Sequence, residues 1–133
     1  DLPLRGDTLE RRPPVTRDET ADVRGFLPMK PRDYLVLFAL LDGPRHGYGV
    51  VKEIEENSAG TVTMDPSNLY RSLKRLMRVD LVEEADDVGS APHSDEERRL
   101  YGITPLGTRV VVAEAERLAQ LTAVARARRV IAH

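Results

Sequence analysis

Apolar positions recur with a helical period over most of the chain, and a two-residue period is confined to short runs. In residues 31–41, Leu35, Phe38 and Leu41 stand three apart with Ala39 and Leu40 between them, which predicts a helix with a wide buried face. Asp42-Gly43-Pro44 stops it, because Gly takes the left-handed position after a helix and Pro cannot continue one. A second helix is expected over residues 47–57, with Val50, Val51 and Ile54 inward and Lys52, Glu53, Glu55 and Glu56 toward water. Gly47 and Gly49 weaken its start and suggest that another backbone approaches closely there. The β-branched run Thr61-Val62-Thr63-Met64 predicts a short strand.

Residues 65–81 carry the most informative pattern. Asp65-Pro66 is a helix start: the carboxylate accepts from a first-turn N–H, and Pro at the first position lacks an N–H that would have gone unpaired. Leu69, Leu73 and Leu76 share one face, Arg71, Lys74, Arg75 and Arg78 lie opposite with Ser67, and Tyr70 sits on the flank. An apolar back and a basic front suit a helix that enters a DNA major groove, where cations neutralise phosphates and small first-turn residues such as Ser67 and Asn68 meet base edges. Arg71, on the same face, reaches either a guanine edge or a phosphate.

Beyond this helix, residues 81–84 and 98–103 read as two strands around a polar, acidic separator, which is a hairpin. Thr104-Pro105 repeats the cap-plus-Pro start and opens a helix expected to run to about residue 129. In it Val111, Ala115, Leu118, Thr122 and Ala125 follow a 4-3-4-3 spacing, widened by Val112, Leu121 and Val124. No remaining segment covers that stripe, so a second copy of the helix is the expected partner. Residues 1–29 are polar, with five Arg against six acids and no apolar period, and the expectation there is a flexible arm.

Composition narrows the function. The chain has 133 residues, and 20 Lys+Arg against 22 Asp+Glu leave −2, so any nucleic-acid binding depends on a local patch. With no Cys and three widely separated His, neither a disulfide framework nor a metal site is expected. No nucleophile motif or Gly-rich phosphate loop is present, and catalysis is not expected. The longest apolar run, residues 34–41, is too short for a bilayer span, and the expectation is a cytoplasmic protein without membrane or cofactor.

Helix, helix, short strand, helix and hairpin is the order of a winged helix-turn-helix, a mainly α fold with a small β hairpin. Leu-Asp-Gly-Pro-Arg-His-Gly-Tyr-Gly-Val-Val (residues 41–51), Asp-Pro-Ser-Asn-Leu-Tyr-Arg-Ser-Leu-Lys-Arg-Leu (65–76) and Arg-Arg-Leu-Tyr-Gly-Ile-Thr-Pro-Leu-Gly (98–107) resemble motifs of the PadR-like transcriptional regulators. The resemblance implies residues 30–104 as the DNA-binding domain, 105–133 as a dimerisation helix, and 1–29 as an extension outside the family pattern. It further implies a homodimeric repressor on a palindromic DNA operator, released in some members by a small effector. Phosphate contacts by Tyr70, Lys74, Arg75 and Tyr48 are implied in the same way, whereas His46 reads as structural.

Two positions depart from the family pattern. Asp80 stands where members often carry Gly, a left-handed position that Asp also tolerates. The wing holds Asp86, Asp87, Asp95, Glu96 and Glu97, which phosphate repels, and this leaves Arg98 and Arg99 as the wing's contribution. Absence of Trp removes the aromatic sandwich that some members use for flat ligands and leaves a cavity lined by Tyr34, Phe38 and aliphatic side chains as the alternative. A winged helix serving as a protein-interaction module is the competing reading. The acidic wing favours it and the basic helix face opposes it.

Overall fold

The structure, a computed structural model, describes residues 23–86 and 99–132. Helix α1 spans Pro31–Ala39, strand β1 Arg45–His46, α2 Gly47–Asn57, α3 Pro66–Arg78, β2 Val82–Asp86, β3 Arg99–Ile103 and α4 Pro105–Ala127. Three helices pack into a bundle, and a three-stranded antiparallel sheet of order β1-β3-β2 closes one side. The hairpin register runs from Val82 opposite Ile103 to Asp86 opposite Arg99, and β1 adds Arg45 opposite Tyr101 and His46 opposite Leu100. Architecture and mainly α class agree with the sequence reading.

The core gathers Val36 and Leu37 of α1, Val50 and Ile54 of α2, Leu69, Leu73 and Leu76 of α3, Tyr101 of β3, and Val110 and Val111 of α4. Each is at most 3% exposed, so the apolar face assigned to α3 is the buried one. On α1 the buried face is only partly the expected one. Val36, Leu37, Ala39 and Leu40 are inside, while Phe38 and Leu41 are each 40% exposed. Residues 34–41 are apolar on every side, so their period could not choose between stripes, and the packing of the neighbouring helices did.

The third strand is also not where it was expected. Residues 61–64 form no strand, because their backbone is taken up by a turn. Thr61 N donates to the Ser58 carbonyl at 3.0 Å and Val62 N to Ser58 Oγ at 3.0 Å, while Ser58 Oγ donates to the Val62 carbonyl at 3.2 Å. The ladder position goes instead to Arg45-His46, a pair too short to leave a periodic signal. The close neighbours of Gly47 and Gly49 are side chains rather than another backbone: Leu69 and Tyr70 for the first, Arg45 for the second.

One junction links α3, the β2–β3 hairpin and α4. After α3 the chain turns through Asp80 at φ 66°, with Leu81 N donating to Leu76 O (2.9 Å) and Asp80 N to Met77 O (3.1 Å). This is a Schellman ending with Asp in the left-handed position. Thr104 then ties three segments together. Its N–H donates to Leu81 O (3.1 Å), its hydroxyl donates to Asp80 O (2.6 Å), and the same oxygen caps α4 by accepting from Gly107 N (2.9 Å). Gly107 is required sterically, since a Cβ there would collide with the Leu81 carbonyl oxygen.

Candidate nucleic-acid interface

Helix α3 is held at both ends by its own sequence. Asp65 Oδ1 accepts from Asn68 N at 2.8 Å, Pro66 occupies the first turn, and Arg75 and Arg78 lie in the last turn, where the helix dipole favours cations. Between Pro66 and Arg78 there are four cations and no acid. With Leu69, Leu73 and Leu76 buried, the turn angle of about 100° per residue puts Ser67, Arg71, Lys74 and Arg78 along the outward face. All four are exposed.

The candidate residues are brought together to different degrees. Ser67 and Asn68 lie in the first turn, and Asn68 Oδ1 accepts from Arg71 Nη2 at 2.6 Å, which holds the two as one polar unit. Tyr70 is half-buried, with its hydroxyl near Gly47 at the start of α2. Tyr48 is 76% exposed, and Lys52 Nζ sits 5.8 Å from its ring centre. Lys74 is exposed. Arg75 is anchored: its Nη2 donates at 2.6 Å to Oδ1 of Asp33, a largely buried α1 carboxylate. A guanidinium has five N–H donors, so this bond leaves others to meet a phosphate.

Arg99 of β3 pairs through Nε with Glu84 Oε2 at 3.3 Å, which partly satisfies it in place. Arg98 and the wing acids Asp87, Asp95, Glu96 and Glu97 lie outside the described residues. His46 Nδ1 is 3.0 Å from the Arg99 carbonyl oxygen, a contact that requires the proton on that nitrogen and ties β1 to β3, in keeping with a structural role.

A groove of about 620 Å³ runs beside α3, lined on one side by Asn68, Arg71 and Arg75 and on the other by Lys30, Arg32 and Asp33 at the start of α1. Sequence reasoning left Lys30 and Arg32 unassigned. Their only local signal is a Lys-Pro-Arg run at a helix start, and nothing in it shows that α1 begins next to α3. A second cavity, of about 280 Å³, is lined by Tyr34, Leu35, Leu118, Glu114 and Arg117 among others; Phe38, expected beside Tyr34, does not line it.

Of the α4 stripe, Val111 is 1% exposed and belongs to the protomer's own core, where α4 packs on α1. Leu118, Thr122 and Ala125 are half-buried and Ala115 is exposed, as are Leu121 (54%) and Val124 (44%). Glu114 is 2% exposed and accepts from Arg117 Nε (2.6 Å) and Nη2 (2.8 Å) and from Met29 N (3.1 Å). The Arg117 bonds hold its carboxyl below the usual carboxylate range against the opposing effect of burial, and the Met29 N–H assists. Among the described residues, no group of His, Cys, Asp and Glu is arranged to hold a metal. No helix among them is long and apolar enough to cross a membrane.

A capped basic helix displayed on a three-helix core with a wing defines a winged helix-turn-helix DNA-binding domain. Residues 36–113 match the transcriptional regulator PadR-like family, and the chain belongs to that family, whose members are transcription regulators and not enzymes. An uncharacterised 37.1 kDa protein in transposon Tn4556 of Streptomyces fradiae is 35% identical over 88 residues, 66% of this chain but only 23% of that protein. Among solved structures, a PadR family transcription regulator from Clostridium difficile R20291 superposes with a TM-score of 0.60 at 19% identity, over 73% of this chain and 96% of that one. Bacillus subtilis PadR in complex with operator DNA gives 0.54 at 21% identity, over 65% and 47%. At these identities the structural likeness speaks for the fold.

Proposed function

We propose that the chain acts in the cytoplasm as a homodimeric repressor that binds a palindromic DNA operator through α3. The observation that carries this reading is the outward face of α3, where Ser67, Arg71, Lys74 and Arg78 stand exposed with no acid within the helix. In this reading Ser67 and Asn68 approach base edges. Arg71 reaches a guanine or a phosphate, Tyr48, Tyr70, Lys74 and Arg75 contact phosphates, and Arg98 and Arg99 serve from the wing.

Dimerisation is assigned to α4. No residue of that helix beyond Glu114 is buried, although Leu118, Leu121, Thr122, Val124 and Ala125 offer apolar surface. Residues 115–127 extend about 20 Å past the core at the helical rise, long enough to pair with the same segment of a second copy. Two recognition helices set roughly 34 Å apart would enter successive major grooves. A small effector enters the proposal at the Tyr34–Leu118 cavity, because a ligand there touches both α1 and α4 and would bias how the dimer spaces its recognition helices.

Site selection from a randomised duplex library tests the reading. A palindromic consensus bound by a dimer is expected. Retention of no duplex at low salt, or binding as a monomer to a half-site alone, would overturn it.

A further inference from the structure

The two flanks of α3 are not equivalent. With its leucines against the core and Ser67, Arg71, Lys74 and Arg78 outward, Tyr70 lies on the flank facing the start of α2. Asn68 and Arg75 lie on the opposite flank, which opens into the 620 Å³ groove. A helix of about 10–12 Å diameter fills a major groove about 12 Å wide, so a sugar-phosphate backbone runs along each of its flanks. Tyr70 stands along the first, against the start of α2. Along the second the sequence motifs place Arg75, which is anchored to Asp33, and no residue of α1.

We propose that this groove seats the second phosphate backbone of the major groove that α3 enters, with Lys30 and Arg32 as its phosphate contacts. The inference rests on the DNA-binding reading and extends its interface to the start of α1. Charge supports it: Lys30, Arg32, Arg71 and Arg75 line the groove against a single acid, Asp33, whose carboxylate is only 12% exposed and already bonded to Arg75. Asp33 therefore presents little free charge to an incoming phosphate, and it also fixes the Arg75 guanidinium on the groove wall. Lys30 and Arg32 are both exposed, as are Thr61 and Thr63, whose hydroxyls are further donors to phosphate oxygens. Continuity supports it too, since Arg71 belongs both to the groove and to the outward face of α3, and its bond to Asn68 joins the two.

The test uses the full chain and a duplex selected by it from a random library. Each phosphate contact contributes about 0.9 to the salt slope, so a fourfold rise from about 50 to 200 mM salt weakens binding by roughly 3.5-fold per contact. Both protomers of the proposed dimer carry the change, so the double variant Lys30→Ala/Arg32→Ala removes four contacts and should lose about 150-fold less affinity over that range than the wild type, while binding more weakly at the lower salt on every duplex. Methylphosphonate substitution of the phosphates flanking the recognition-helix site supplies the second measurement. It should weaken the wild type at one or two positions and leave the double variant unaffected there. Because both side chains are exposed, the melting temperature should not move. Wild-type binding with an unchanged salt slope in the double variant overturns this inference alone. A wild type that binds no duplex overturns the DNA-binding reading and the inference with it.

Discussion

Replacing Gly107 by Ala places a methyl group against the Leu81 carbonyl oxygen, with Ile103 Cγ1 at 2.8 Å and the Leu81 carbonyl carbon at 3.1 Å. Carbon and oxygen settle near 3.3–3.6 Å, so the first turn of α4 and the Leu81 segment must separate by on the order of 1 Å. Both are tied: Thr104 N bonds Leu81 O, and Thr104 Oγ1 caps Gly107 N. Losing the cap costs about 1 kcal/mol, weakening the Thr104–Leu81 bond costs about 1 kcal/mol, and residual overpacking costs about 1–3 kcal/mol. Better helix propensity of Ala offsets about 1 kcal/mol. The net expectation is a destabilisation of roughly 2–4 kcal/mol, or about 8–15 °C in Tm for a chain of this size. Urea unfolding at fixed protein concentration measures it, with concentration held because the proposed dimer would add to apparent stability. Gly102→Ala is the control, since its nearest neighbour is Pro44 Cγ at 3.8 Å, and it should stay within about 1 kcal/mol of the wild type. A Gly107→Ala variant as stable as that control would refute the account of the junction.

Asp80→Gly should raise stability by about 0.5–1 kcal/mol, because Gly takes φ 66° without the Cβ penalty; a loss of stability in thermal unfolding would contradict this. Lys74→Ala should weaken binding to all duplexes alike and reduce the salt slope by about one unit per lost contact, about two for the proposed dimer, and an unchanged affinity at every salt concentration would remove Lys74 from the interface. Leu118→Asp should turn the dimer into a monomer in sedimentation, since a buried, unpaired charge costs several kcal/mol; a wild-type protein that sediments as a stable monomer would end the dimer proposal. Glu114 has its carboxyl pKa lowered on folding, so its contribution is complete above the unfolded value of about 4.5 and is lost as pH falls through the folded value. The acid limb of Tm against pH should accordingly be shallower in Glu114→Gln, and identical limbs would show that the Arg117 and Met29 contacts contribute nothing.

Local chemistry made α3 legible without coordinates. Its Asp-Pro start, its leucine spacing and its unbroken run of cations each have a cause within one or two helical turns, and the structure keeps all three. The Thr104 cap was legible for the same reason, and the left-handed Asp80 through the family resemblance. Other features depended on what packs against what. α1 is apolar on every side of its second half, so only its neighbours decide that Leu37 is buried and Phe38 exposed. The α4 stripe is divided between uses, because its period is continuous while the core it meets ends at Glu114.

The sequence by itself determined the elements whose signals are short-range: capped helix starts, a hairpin around a polar separator, and a recognition helix with one basic face. Tertiary structure alone decided contacts between residues distant in the chain. These are the third strand at Arg45–His46, the bond from Arg75 to Asp33, the Glu114 tether to Met29, and the groove that sets Lys30 and Arg32 beside α3. A hydrogen bond or ion pair carries no periodic trace in the chain, because its partners are matched by the folded geometry and not by their spacing in sequence.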